Sequence, residues 1–163
     1  MKTVIVYDSM FGNTQKVAEA VASKIGGECV LCHVKEAKPQ EVQAAGLLIV
    51  GSPTHGGRAS IPTQTFLKQL SKGILANVQV AAFDTRIAAA DQSWWLKLVM
   101  KLIDFAAPKM AKGLAGKGGR LLLEPEGFIV NDKEGPLREG ELERAQSWGE
   151  KINNLLLQKQ EGN

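Results

Sequence analysis

The sequence predicts an α/β fold: a single doubly wound domain over residues 1–163, in which a five-stranded parallel sheet has helices on both faces. Two observations predict it. Short and almost entirely apolar strands alternate with amphipathic helical segments in the order βαβαβαβαβα, as expected of a parallel sheet covered on both sides. In addition, neither a flexible linker nor an internal repeat divides the chain.

The strands are predicted from continuous apolar runs that are bounded by turn residues. They are Thr3–Tyr7, Cys29–Val34, Leu47–Val50, Val78–Phe83, and a fifth made of Leu121–Leu123 with Phe128–Val130, interrupted near Pro125. Apolar spacings of three and four predict helices through Val17–Ile25, from about Pro62 to Ile74, and through Leu142–Leu156.

Composition excludes several classes of protein. The chain has 44% hydrophobic and 23% charged residues and a net charge of +3, which argues against disorder and is too small to indicate nucleic-acid binding. No signal-peptide core and no apolar stretch long enough to span a bilayer is present, so we expect a cytoplasmic protein. Cys29 and Cys32 lie in a predicted strand, which favours a buried, reduced pair over a zinc or redox site.

Three loops follow the carboxyl ends of predicted strands, where open parallel sheets bind their ligands. They are Asp8–Thr14, Ser52–Arg58 and Asp84–Arg86. The first opens a helix, has hydroxyls at both ends and contains no cation. Its backbone N–H groups and the helix dipole favour a terminal monophosphate. A turn in which Ser9 and Asn13 merely cap the helix is the alternative.

The residues of these loops carry a resemblance. The segment TVIVYDSMFGNTQKVAEAVA, the later GSPTHGG and AFDTR, and the tail from EGFIV onward resemble the flavodoxin family. This resemblance implies the strand order 2-1-3-4-5 and a bound flavin mononucleotide (FMN), with no catalytic residue and no metal. It also implies the residues that bind FMN. Those at the phosphate are Ser9, Met10, Phe11, Gly12, Asn13 and Thr14, and those flanking the ring are Pro53, Thr54, His55, Gly56, Gly57, Asp84, Thr85 and Arg86.

Other ligands of similar folds fit the sequence poorly. A phosphorylated receiver domain needs an aspartate after the third strand, where Gly51 and Ser52 stand. A low-molecular-weight phosphatase needs a cysteine in the first loop, which has none. Both the GxGxxG turn of a dinucleotide site and the lysine of a triphosphate loop are missing.

The predicted ring loops depart from the usual flavodoxin pattern. Electron-carrier flavodoxins are usually acidic and often place a Trp and a Tyr beside the ring, whereas these loops carry His55, Arg58 and Arg86. Cations near the ring stabilise the anionic reduced flavin, so we expect full reduction to be easier here. Alternatively, the arginines face solvent or pair with Asp84 or a glutamate.

A second unusual segment is the predicted helix Trp94–Phe105, whose apolar residues nearly encircle it. A helix packed once against a sheet needs a narrower apolar stripe, so we expect a second buried contact. A homodimer or a docked partner protein would supply it, and Pro108 is expected to end or kink the helix. The alternatives are a helix buried in its own domain, a tryptophan covering the flavin, and peripheral contact with an anionic membrane.

Two functions suit these features. The favoured one is an electron-transfer flavoprotein that shuttles electrons on FMN between redox partner proteins. The alternative is an FMN-dependent oxidoreductase acting on a quinone or a porphyrinogen, with His55 or Arg86 polarising the substrate.

Overall fold

The computed structural model describes residues 1–88 and 105–161, without the side chains of the last two. Seven strands and five helices lie in these ranges. The strands are β1 (Lys2–Tyr7), β2 (Glu28–His33), β3 (Leu47–His55), β4 (Arg58–Ala59), β5 (Gln79–Ile87), β6 (Arg120–Leu121) and β7 (Glu126–Val130). The helices are α1 (Asn13–Ala22), α2 (Pro39–Gln43), α3 (Ile61–Gln69), α4 (Ala106–Gly116) and α5 (Glu141–Glu161).

The sheet has the predicted order, confirmed as β2-β1-β3-β5 followed by β6. All these neighbours pair in parallel. The predicted fifth strand is two strands, since β6 pairs with the beginning of β5 and β7 with its end. Residues 122–125 separate the two, whereas only Ala81 and Ala82 separate the matching positions of β5. The interruption near Pro125 is therefore a local bulge at one position in the sheet.

Alternate side chains of the strands enter two cores on opposite faces of the sheet. Val4, Val50 and Ala82 face a core that α3 and α4 cover. Ile5, Ile49 and Phe83 face a core covered by α1 and α5. Because both faces are covered, the runs Val4–Val6, Leu47–Val50 and Val80–Phe83 are apolar and buried at every position.

Two strands extend further than their apolar runs predict. The expected end of the third strand at Gly51 is wrong, because β3 continues to His55. Asp84, Thr85 and Arg86 likewise lie inside β5, not in a loop after it. The reason is pairing: β4 forms a hairpin with the end of β3, and the distant β7 pairs with the end of β5.

The cysteines lie on β2, the edge strand of the sheet. Both are free and only half-buried, so the prediction that they are buried is wrong. Among the described residues, no strand pairs with the outer edge of β2, which leaves these side chains partly exposed. Burial nevertheless raises the pKa of both thiols, which lowers their reactivity at neutral pH.

The segment before α4 includes the predicted Trp94–Phe105 helix, and residues 94–104 of that prediction lie outside the described residues. Phe105 itself is extended, and α4 begins immediately after it. Pro108 lies in the first turn of α4, where its missing N–H removes no intrahelical bond. It therefore neither ends nor kinks that helix. Within the described ranges, no helix is both long enough and apolar enough to cross a bilayer.

An aromatic cluster that the sequence analysis missed closes the core under α5. Trp148 lies 6.0 Å from Phe83 and 6.3 Å from Phe128 between ring centroids. The apolar spacing placed Leu142 on the buried face of the helix, but that side chain is 39% exposed. Trp148 takes the core position because it lies on the same face as Ala145, Ile152 and Leu156.

Glu141 ties the beginning of α5 to β7. Its carboxylate accepts from Ile129 N at 2.7 Å and from Arg144 Nη2 at 2.6 Å. Burial alone would raise the pKa of Glu141, but the bonds from Arg144 and Ile129 outweigh it and lower the pKa. Hydrogen bonds to a buried charged group each contribute about 1.5–3 kcal/mol.

We therefore expect Glu141→Gln to lower the free energy of unfolding by roughly 1–3 kcal/mol at pH 7. A depressed folded-state pKa stabilises the fold above the unfolded value of about 4.3 and stops doing so as the pH falls through the folded value. Urea denaturation should show the difference from wild type shrinking below about pH 4. Glu143→Gln, at an exposed position in the same turn, is the control and should show no such trend.

Candidate functional site

The loop between β1 and α1 has the backbone that an anion site needs. Gly12 adopts φ 85°, precedes the first residue of α1 and has no side chain to cap the helix. A Cβ at Gly12 would meet no atom within 4 Å, so the space above the loop is open. The first N–H groups of a helix have no intrahelical acceptor. Ser9 Oγ accepts from Gln15 N, so in the described chain the N–H groups of Asn13 and Thr14 are the ones available to a negatively charged group.

The polar side chains of this loop are held in place by distant segments. Thr14 is buried, and its hydroxyl bonds that of Thr85 on β5 at 2.8 Å. Asn13 is also buried, and its Nδ2 donates to the carbonyl of Glu134 at 3.0 Å. Ser9 Oγ accepts from Gln15 N at 3.3 Å. The loop is thus fixed before any ligand binds.

A cleft at the carboxyl edge of the sheet brings the predicted segments together. The ends of β1, β3 and β5 all open into it, together with the end of β7. The predicted site residues that line it are Ser9, Met10, Phe11, Asn13, Thr14, Pro53, Thr54, His55, Thr85 and Arg86, and three unpredicted residues, Ile87, Val130 and Lys133, join them.

Four predicted site residues do not line this cleft. Gly12 contributes only backbone, at the beginning of α1. Gly56 and Gly57 form the tight turn between β3 and β4, with φ 53° and 74°. Asp84 is completely buried, because its side chain points to the α4 face of the sheet, where its carboxylate accepts from Ala107 N at 2.8 Å.

Arg86 is paired with Asp84. Its Nε and Nη2 donate to the two carboxylate oxygens at 2.5 and 2.8 Å. The guanidinium also stacks on the Phe105 ring at 3.6 Å. The expectation of an uncompensated cation at Arg86 is therefore wrong, and the alternative pairing with Asp84 is confirmed.

The other two expected cations are opposite each other in the hairpin of β3 and β4. His55 is exposed at the end of β3 and lines the cleft. Arg58 is also exposed, but it lines a different groove, between α3 and α4. Of the three cations expected at the ring, only His55 remains in the cleft without a charged partner in the described chain.

The segment after β7 is the part of the cleft that sequence reasoning missed. Lys133 comes from it, and Val130, the last residue of β7, directly precedes it. A signal was present, because residues 131–136 follow the carboxyl end of the fifth predicted strand, as the other site loops follow theirs. Its charged sequence, NDKEGP, contains no motif of its own.

The family is decided by a match between residues 4–116 and the model of the flavodoxin domain. This chain belongs to the flavodoxin domain family. It is 36% identical over 96 residues to a flavodoxin from Aquifex aeolicus (strain VF5), a match covering 56% of this chain. The chain spans about half the length of that relative, 49%.

Solved structures share the fold of this flavodoxin domain. The oxidised flavodoxin 1 of Bacillus cereus superposes with a TM-score of 0.74 at 16% identity, covering 94% of this chain and 98% of that one. The rubredoxin oxygen:oxidoreductase of Desulfovibrio gigas gives a TM-score of 0.73 at 25% identity and covers 97% of this chain. Only 36% of that longer protein takes part.

Flavodoxin domains bind FMN, and FMN is the cofactor of this one. The residues of the cleft fit that cofactor. Open N–H groups follow Gly12, hydroxyls stand at Ser9 and Thr14, and the apolar Met10 and Phe11 lie beside them. Such a set offers donors to a phosphate and apolar surface to a flat ring.

Proposed function

We propose that this flavodoxin domain transfers electrons between redox partner proteins through FMN bound in the cleft. The observation that carries the proposal is a rim of exposed apolar side chains around the cofactor site. Met10 is 67% exposed, Phe11 40% and Ile87 51%, and all three line the cleft. Exposed apolar residues gathered at one site indicate a surface that another protein covers.

The cofactor and the protein have different roles in this proposal. FMN supplies the acceptance and donation of electrons when bound. The chain supplies position: the Thr14–Thr85 bond joins the phosphate loop to β5, and the buried Asp84–Arg86 pair fixes the end of β5 against α4. The relatives support the proposal, since a flavodoxin and a rubredoxin oxygen oxidoreductase are both among the proteins similar to this chain.

The test is a coupled electron-transfer assay in solution. The FMN-loaded protein is mixed with NADPH, a flavodoxin reductase and cytochrome c, and we expect cytochrome reduction to depend on its concentration. Met10→Glu should raise the protein concentration needed for half-maximal rate by about three- to tenfold, because it places a charge on the docking rim. Ile61→Glu is the matched control, since Ile61 is 78% exposed but does not line the cleft.

Two outcomes would contradict the proposal. If the rate of cytochrome c reduction does not depend on the FMN-loaded protein, the protein is not an electron carrier. Rapid turnover of a quinone with NADPH, without any dependence on a partner protein, would favour the oxidoreductase instead.

A further inference from the structure

The phosphate loop of this cleft lacks a positive charge. Residues 8–15 contain no lysine or arginine, and Lys16, the first cation after them, is exposed on α1 and does not line the cleft. A phosphate monoester carries a charge of about −1.5 to −2 at neutral pH. Backbone dipoles alone would have to compensate that charge unless another segment of the chain contributes.

The loop of residues 131–136 reaches the phosphate loop. The carbonyl of Glu134 accepts from Asn13 Nδ2 at 3.0 Å. Next to it, Gly135 adopts φ 105°, and a Cβ there would stand 2.6 Å from Asn13 Nδ2. The two loops are thus in direct contact through backbone and amide, at a distance that only glycine permits.

Internal hydrogen bonds hold this loop in one conformation. Gly135 N donates to the carbonyl of Asp132 at 3.0 Å, and Asn131 N to that of Pro136 at 2.9 Å. The Asp132 carboxylate accepts from Lys133 N at 2.6 Å, so this carboxylate bonds the loop backbone. Lys133 therefore has a fixed backbone position next to the residue that contacts Asn13.

Lys133 lines the same cleft as Ser9, Asn13 and Thr14. Among the described residues, the other cationic or titratable basic side chains that line it are His55 and Arg86. His55 lies at the end of β3, and Arg86 is neutralised by Asp84. Lys133 lies far from the phosphate loop in the sequence, and the fold places it at the same cleft.

We propose that Lys133 strengthens the selection of a phosphorylated flavin by this cleft, in addition to the phosphate loop itself. Its ammonium group compensates the phosphate charge, and the contact of Asn13 with Glu134 and Gly135 sets the distance between the two loops. The inference rests on FMN binding in this cleft. It goes further in assigning part of the preference for FMN over riboflavin, which has the same ring but no phosphate, to one residue outside the motif.

The test compares the affinities of the apoprotein for FMN and riboflavin, measured by quenching of flavin fluorescence. Lys133→Gln should weaken FMN binding by about three- to tenfold at low salt, the range expected of a partly exposed ion pair with a multiply charged group. Riboflavin affinity should not change. Lys133→Arg should retain FMN affinity. The difference in FMN affinity between wild type and Lys133→Gln should decrease in 1 M salt, because screening weakens exposed ion pairs.

Lys16→Gln is the matched control, because it removes the same charge from the beginning of α1 without touching the cleft. An equal loss in Lys16→Gln would mean that only the general field of the protein matters, and would overturn the inference. So would unchanged FMN affinity in Lys133→Gln, or an equal loss for FMN and riboflavin. Failure of the wild-type apoprotein to bind either flavin would remove the cofactor site itself, which distinguishes the two failures.

Discussion

Replacing both Asn13 and Thr14 by alanine is expected to weaken FMN binding by about a hundredfold or more. Each side chain is buried at the beginning of α1, where a phosphate would lie. A hydrogen bond to a charged group contributes about 1.5–3 kcal/mol, and two such losses correspond to that factor or a larger one. The variant also loses the bonds to Thr85 and Glu134 that fix the loop.

Titration of the apoprotein with FMN measures this effect directly. Gln15→Ala provides the control, because Gln15 is exposed in the same turn and, within the described part of the chain, its side chain bonds only Glu19. Urea denaturation of the double variant separates loss of binding from loss of folding. Wild-type affinity in a folded double variant would show that the phosphate lies elsewhere.

The sequence was sufficient for the fold because its strands bury both faces. Runs such as Val4–Val6 and Leu47–Val50 are apolar at every position, and only a parallel sheet between two helical layers buries them completely. The ends of strands could not be predicted in the same way. The end of β3 pairs with the end of β5, and the end of β5 with β7, so each depends on a segment that is far away in the chain.

The site could be predicted where its residues follow the ends of strands. The prediction failed where the charge of a side chain depends on the residue that it pairs with. Thr14 and Thr85 were both predicted, since each follows or ends an apolar run. The pairing of Arg86 with Asp84 was only an alternative, because a loop was expected there. Asp84 and Arg86 are two residues apart in a strand and so share a face, which a loop would not require.

The largest loss of stability is expected for Asp84→Ala, roughly 3 kcal/mol in the free energy of unfolding. Asp84 is completely buried, and the Arg86 side chain is 17% exposed. Removal of the carboxylate leaves the guanidinium in a site with little water, at a cost of about 3–5 kcal/mol for a fully buried pair. The N–H of Ala107, at the beginning of α4, loses its acceptor as well.

A double-mutant cycle tests whether the ion pair itself is responsible. Asp84→Ala with Arg86→Ala should be less destabilising than the sum of the two single variants, because no uncompensated charge stays buried. Asp84→Asn should fall between wild type and Asp84→Ala, since its amide oxygen still accepts from Ala107 N. Strict additivity in urea denaturation would mean that the pair is not coupled. The cost of Asp84→Ala would then come from the bond to Ala107 N, which anchors α4 beside the cofactor cleft.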